Sequence, residues 1–561
     1  MAKVLTTGRP WRVILVFAVP LLVGNLVQQL YQVADAFVVG RTLGVTSLAA
    51  VGVVGSLLFL LLGAAWGMTS GFAIPTAQAF GAGDQRGVRR SVATGTILAA
   101  GASVVLTVVA IGLVEPALGW LHTPAELVPE ARTFALVSFA GSAVTMFYNY
   151  LAAIIRAIGD SRTPLVFLTV SCLLNVALVV TLVNGLGTGV GGAALATVVS
   201  QLISVLLCLE YVRRRVPVLH VRREDWRISR GDVTRHLRLG LPMGFQASII
   251  AIGTLAVQLR LNELGADAVA AYTTAARVDG LAIALLASLG LAVSTFVAQN
   301  HGGRRPDRIR RGVLESLGIA FAGAVLLGVV LISSGARLVE LFVGPGEERV
   351  VEMAAVLLTV NGATYTLLGA LFVLRGALQG LGQSFVPTMT GVLELVMRVG
   401  AAIVLGAAFG YTGVVWGNPL AWVGAIVLLV PAYVRAHRAL GVAASAGGAH
   451  AAGTDEVATS ADVLSRRAAV PGDVAVAGVE TTTPASDDVL AAHDWTGATV
   501  PTLVDGPSDG SVVLEAVVPL PRSALEAETP AGTDAVASDD GPRESRAVGC
   551  AGPDEAELTA R

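Results

Sequence analysis

Charge is what this 561-residue chain has least of: Asp, Glu, Lys and Arg make up 14 % of it, against 54 % hydrophobic residues. Soluble domains carry about 25 % charged residues, so an ordinary cytosolic globule is excluded. Cysteine is as scarce. Cys172, Cys208 and Cys550 allow no disulfide framework and show no metal-ligand spacing. The seven histidines are scattered, with no His-x-x-x-His pair, so neither a metal centre nor a metalloenzyme is expected, and no nucleic-acid partner. The net charge of −2 averages two unlike parts: 32 Lys+Arg face 20 Asp+Glu through Leu440, and 6 face 20 from Gly441 to Arg561.

What the chain has in abundance is long apolar runs. A membrane helix needs about 20 mostly apolar residues. Twelve stretches before residue 440 qualify, near Val13–Val39, Ser47–Phe72, Val92–Val114, Thr133–Ile155, Leu165–Val183, Val190–Val212, Leu239–Leu259, Ala268–Ala298, Val313–Ser334, Val351–Leu374, Val386–Phe409 and Thr412–Val434. The first is too long for a cleaved signal peptide, and it carries Asn25, Gln28, Gln29 and Asp35. With the amino terminus on the cytoplasmic side, alternating loops place 25 Lys/Arg inside and five outside. Positive charge stays on the cytoplasmic side of spans, so both termini are expected there, in a plasma-membrane protein.

The runs also repeat. Leu43-Gly44 through Ala50 aligns with Leu264-Gly265 through Ala271 at a shift of 221, as does Ala77-Gln78-x-x-Gly81 with Ala298-Gln299-x-x-Gly302. Gly159, Ser161 and Pro164 align with Gly382, Ser384 and Pro387 at 223, and Pro20 with Pro242 at 222. A nearly constant shift over this length signals duplication. Six spans per repeat make the two copies parallel, related by an axis along the membrane normal. The expectation is an all-α membrane protein of twelve transmembrane helices in two six-helix lobes. Residues 1–212 form the first lobe, 213–238 a basic cytoplasmic linker, 239–440 the second lobe and 441–561 an acidic disordered tail. Two bundles flanking a cavity favour a carrier over a channel.

Certain segments carry a family resemblance. Gln28-Gln29-Leu30-Tyr31-x-x-Ala34-Asp35-x-Phe37-Val38-x-Gly40-Arg41-x-Leu43-Gly44 resembles the first-helix signature of the multidrug and toxic compound extrusion (MATE) family. Ala77-Gln78-x-x-Gly81-Ala82-Gly83-Asp84 and Arg156-Ala157-Ile158-Gly159-Asp160-Ser161-x-Thr163-Pro164 resemble its loops after helices two and four. The likeness covers about residues 8–438 and is nearest the bacterial and archaeal branch with an aspartate in helix one. It implies a V-shaped pair of lobes and export of small organic compounds, cationic or amphipathic, against inward H⁺ or Na⁺. No organic cofactor is implied, and a 6+6 carrier can work as a monomer in the lipid bilayer.

An ionisable group inside a span is costly and functional by default. Asp35 is the clearest case; Gln28, Tyr31 and Asp35 share one helix face at i, i+3 and i+7, with Gln29 beside them. Burial disfavours a charged carboxylate, which suits an acid that loads and releases a proton; a carboxylate held permanently as structural glue is the other reading. The resemblance adds Asn175, Asn149 and Thr197 as partners. Where the related pattern has a second aspartate, four residues after the asparagine, this chain has Val179, which favours H⁺ over a Na⁺ site built from two carboxylates. The acidic residue in helix seven of the sodium-coupled branch is absent, Gln246 being nearest. Pro20 marks a kink, static or able to bend with protonation. In the second lobe, Glu394 and Arg398 at i, i+4 are expected to pair, as a lock or as a substrate site. Arg277 and Asp279, two apart, need other partners. Gln246, Gln258 and Asn361 add polarity, and Phe147, Tyr148 and Tyr365 are aromatic candidates for the cavity.

Three other readings stand against a proton-coupled exporter. A flippase of lipid-linked precursors in the same superfamily calls for a strongly basic cavity, and here Arg277 and Arg398 alone would supply it. A membrane transferase calls for clustered His or Asp on one membrane face, which the scattered histidines do not give. A receptor or scaffold has no use for Asp35 within a span.

Overall fold

A lipid interior offers backbone groups no partners, so each apolar run must bond internally as a helix. The computed structural model describes residues 4–121, 123–344 and 346–467. Among them are fourteen α-helices and no strand: α1 Pro10–Leu43, α2 Val45–Gly81, α3 Gln85–Trp120, α4 Val128–Ala140, α5 Ser142–Ala157, α6 Arg162–Val179, α7 Gly189–Arg215, α8 Arg230–Leu264, α9 Ala266–Gly302, α10 Pro306–Val343, α11 Glu348–Gly380, α12 Phe385–Phe409, α13 Tyr411–Val415 and α14 Gly417–Arg467. Eleven stretches cross a membrane by length and composition, and the bent pair α4–α5 makes a twelfth. The fourth span breaks by 43° at Gly141-Ser142, a pairing that kinks helices. There α4 comes so near α7 that a Cβ on Gly141 would lie 2.1 Å from Val198. The fifth span closes in a π-helical stretch, Val180–Gly185.

Several boundaries differ from expectation. The linker is shorter than 213–238, because α7 runs to Arg215 and α8 begins at Arg230. Within it, Asp225 takes a 3.0 Å bond from Arg89 on α3, which pins the linker to the first lobe. At the other end, α14 continues to Arg467, past the Gly441 where the disordered tail was placed. Residues 468–561 of that tail lie outside the described residues.

The duplication is visible in the turns. Gly44 and Gly265, 221 apart, have φ of 90° and 104°; Gly159 and Gly382, 223 apart, both have φ of 84°. Side-chain-bearing residues resist this left-handed region, so each matched turn depends on glycine. The first lobe comprises α1–α7 and the second α8–α14. Their contact is concentrated at the arginine-rich end of the helices. There Ile14, Phe17, Ala18 and Leu21 of α1 join the buried core of the second lobe. Glycines let the helix backbones touch: a Cβ on Gly67 would sit 2.3 Å from the Met243 carbonyl, and one on Gly71 2.6 Å from Gly240 Cα. Nearer the basic end, Cβ atoms on Gly81 and Gly302 would sit 1.9 Å and 1.8 Å from the carbonyls of Gln299 and Gln78. Small residues at such seams are how membrane helices pack closely.

Gly81→Ala is therefore expected to cost about 1–3 kcal/mol through overpacking and to lower the thermal unfolding temperature of the purified protein. Gly101→Ala, where nothing lies within 4 Å of an added Cβ, is the control and is expected to leave it unchanged. Equal unfolding temperatures for the two variants would mean that the seam is not close-packed.

Candidate functional site

The seam ends in a pair of matched hydrogen bonds. Gln78 Nε2 on α2 donates to the Gly380 carbonyl at the end of α11, 3.0 Å away. Gln299 Nε2 on α9 donates to the Ala157 carbonyl at the end of α5, at 2.7 Å. These glutamines are 221 apart and the carbonyls 223 apart, so each lobe satisfies a helix-end carbonyl of the other that would otherwise lack a partner. The remaining amide oxygens are also engaged: Arg235 donates to Gln78 at 2.6 Å and the Leu5 N–H to Gln299 at 2.8 Å. Leu5 starts a short strap ahead of α1, held to the second lobe by Arg308 through the carbonyls of Gly8 and Thr7 at 2.7 and 3.2 Å. Each such hydrogen bond contributes about 0.5–1.5 kcal/mol net, in addition to the close helix packing of the seam.

Further along α1, the first lobe holds a polar cluster. Tyr31 donates to Thr197 Oγ1 at 3.0 Å, and Asn175 Nδ2 donates to the same oxygen at 3.1 Å. Thr197, on α7, thereby ties α1 to α6. Asp35 lies one helical turn beyond Tyr31, partly buried. Its Oδ1 and the Oδ1 of Asn175 are both buried without a hydrogen-bond partner. Val179 and Val39 are fully buried in the same apolar cluster, so hydrocarbon fills the position where a second acid was considered. Asn149 does not join the group, since its amide bonds to Thr145 of its own helix at 3.0 Å. Gln28 and Gln29 are exposed, and α1 passes Pro20 without a break.

The second lobe holds its polar groups differently. Glu394 does not pair with Arg398 one turn away. Its ion-pair partner is Arg375 on α11, with side-chain exposures of 9 % and 8 % for Arg375 and Glu394. Arg375 also bonds Thr390 at 3.2 Å. Proximity along one helix lost to a guanidinium that α11 carries directly alongside. Gln246 Nε2 donates to the Pro387 carbonyl at 2.6 Å, linking α8 to α12, and Gln379 donates to Gln246 at 3.3 Å. Asp279 is buried and accepts from Tyr365 Oη and, at 3.1 Å, from Asn361 Nδ2. The Nε of Arg398 is buried without a partner. Arg277 is exposed on the wall of a cavity of about 670 Å³ formed by the ends of α8 and α9 away from the basic seam. Among the described residues no group of three His, Cys, Asp or Glu could hold a metal ion.

Two duplicated, packed lobes of membrane-length helices, with Asp35 set beside a bonded polar group in the first, suit a carrier. The family model MatE matches residues 20–181 and 242–407, one segment in each lobe. The chain belongs to the MatE family. MatE proteins are transporters, so this chain is a membrane transporter and not an enzyme. It is 29 % identical over 434 residues to the probable multidrug resistance protein YoeA of Bacillus subtilis, covering 75 % of this chain and 93 % of that one. To the multidrug export protein MepA of Staphylococcus aureus it is 24 % identical over 406 residues, covering 71 % and 88 %. A solved outward-facing conformation of a multidrug resistance MATE family transporter superposes with a TM-score of 0.73 at 24 % identity, covering 78 % of this chain and 98 % of that one. A solved MOP superfamily transporter from Pyrococcus furiosus superposes at 0.72 with the same identity and coverage.

Within this MatE chain, the sequence pointed to Asp35, Tyr31, Asn175 and Thr197, and the structure gathers the last three into one bonded group beside the first. It missed Arg375, which lies where a charged loop was read, and the reciprocal roles of Gln78 and Gln299. Their equal positions in the two repeats were the available signal. Arg375→Met leaves Glu394 buried and unpaired, a loss of about 3–5 kcal/mol in comparable cases. The expected outcome is a large fall in thermal stability, mostly recovered when Glu394→Gln is added. A stable Arg375→Met protein would show that the pair is dispensable.

Proposed function

We propose that this MatE transporter exports small amphipathic organic compounds, cationic ones among them, in exchange for protons that bind Asp35. The observation that carries the reading is the unpartnered Asp35 Oδ1 beside Tyr31, Thr197 and Asn175. A proton on Asp35 supplies a donor in a region where two buried oxygens have none. A sodium ion needs several oxygens and compensating charge; the neighbouring Val179 contributes neither, which favours H⁺. The names of YoeA and MepA, a multidrug resistance and a multidrug export protein, support the substrate range. No organic cofactor enters the cycle, and one chain suffices as the working unit.

The basic end is assigned to the cytoplasm, by the distribution of Lys and Arg, with the amino terminus and α14 on that side of the plasma membrane. In this assignment the lobes are closed inward and the cavity opens outward. The α1 helix links the two events. Its first turns are strapped to the second lobe, its later turns carry Asp35, and Pro20 between them lacks a backbone donor. Protonation outside neutralises Asp35, weakens its hold on a cationic group and lets α1 rearrange. Loss of the proton inside restores the charge for the next substrate.

In proteoliposomes, wild-type protein is expected to drive ethidium movement under an imposed pH gradient and not under an imposed Na⁺ gradient. Asp35→Asn is expected to reduce the pH-driven rate to background while leaving the folded protein intact. Full pH-driven transport by Asp35→Asn would remove Asp35 from the mechanism, and drive by Na⁺ alone would replace the coupling ion.

A further inference from the structure

The stripe of α9 that faces α1 can be followed residue by residue. Ser288 accepts a bond from Asn25 of α1 at 2.9 Å. Two turns away from the basic end, a Cβ on Gly280 would lie 3.7 Å from Gln29 Nε2. Continuing by threes and fours, the same face presents Arg277, then Thr273 and Thr274, then Ala270 and Ala266. Beyond Gly280 these residues border the cavity of about 670 Å³, with Asn262 of α8 at its side. Arg277 therefore stands on the second lobe, one turn beyond the point where Gly280 meets Gln29 of α1, in a cavity lined by α8 and α9.

Arg277 makes no ion pair among the described residues. The acids that could have served it are otherwise engaged: Glu394 with Arg375, Glu263 with Arg260, and Asp267 with Arg349 at 3.5 Å. Asp279 is turned to Tyr365 and Asn361. Arg398 adds a second cation in the same lobe, with its Nε unpartnered. An exposed guanidinium that faces a cavity and has no ion-pair partner is available to an incoming anion. Its planar fork matches a carboxylate or phosphate through two parallel bonds, and the Thr273 and Thr274 hydroxyls and the Asn262 amide add neutral donors in the same cavity.

We propose that Arg277 binds an anionic group on the transported compound, so that the preferred substrates are zwitterionic amphiphiles rather than simple cations. This rests on the exporter reading above and narrows its substrate class. In this reading the cationic end of such a compound is assigned to Asp35 of the first lobe and the anionic end to Arg277 of the second. A proton on Asp35 cancels only the first of these attractions, which loosens the substrate without requiring any change at Arg277.

The test uses two dyes that differ by one methyl ester: rhodamine 110, with a free carboxylate, and rhodamine 123, its cationic ester. Equilibrium binding is measured by fluorescence polarisation on the full chain in phosphatidylcholine nanodiscs, with no ion gradient. Wild-type protein is expected to bind rhodamine 110 tighter by about tenfold or more, the value of one charge-assisted contact. Arg277→Gln is expected to abolish the preference with an unchanged unfolding temperature, and Arg277→Lys to keep part of it. Equal affinities in the wild type, or a preference that survives Arg277→Gln, overturns the proposal. Loss of the preference when phosphatidylglycerol is added to the discs also overturns it, by assigning Arg277 to a lipid headgroup. Failure of either dye to move under a pH gradient would speak against proton coupling and leaves these binding outcomes to decide the role of Arg277.

Discussion

Inside a bilayer no water is on hand to complete a hydrogen bond, so every polar group in the bundle must find its partner in protein or wait for one. That constraint sorts the polar residues of this chain into two kinds. Arg375 with Glu394, Asp279 with Tyr365 and Asn361, and Gln246 with Pro387 are joined to each other and fasten the second lobe. Among the described residues, Asp35 has an oxygen without a hydrogen-bond partner and Arg277 makes no ion pair. The first group ties helices of the second lobe together; the second holds the groups proposed to take the proton and the substrate.

The same constraint explains why the two repeats have stayed alike in backbone and drifted apart in chemistry. Turns at Gly44 and Gly265, and at Gly159 and Gly382, repeat because a left-handed φ leaves few alternatives. The cross-lobe bonds of Gln78 and Gln299 repeat because each caps a helix end of the opposite lobe. The acids within the spans do not repeat. The repeat spacing places Ala256 or Val257 opposite Asp35, and Leu58 opposite Asp279.

Much of this was legible in the sequence because hydrocarbon imposes it. Twelve apolar runs, a constant repeat shift and the lone charge in the first span all follow from what a bilayer tolerates. Partners between helices were not legible. Glu394 was assigned to Arg398 by its place one turn away, whereas α11 brings Arg375 to it from the far end of another span. Asn149 was grouped with Asp35 through resemblance, yet its amide closes on its own helix. The closure of the basic end was hidden for the same reason: Gln78 and Gln299 showed only as matched letters, and their targets depend on how two lobes meet. The last helix also outran the apolar signal, since α14 extends to Arg467 through residues too polar to predict a span.

The central claim is that substrate and proton exclude one another through Asp35. It is tested most directly by counting protons rather than transport. Purified protein in weakly buffered detergent solution, held at a pH where Asp35 is protonated, is titrated with whichever of the two rhodamine dyes it binds while an indicator follows the bulk pH. Release of up to about one proton per chain is expected on binding, falling to none in Asp35→Asn. Saturable binding with no proton released by the wild type, or release undiminished in that variant, would contradict it.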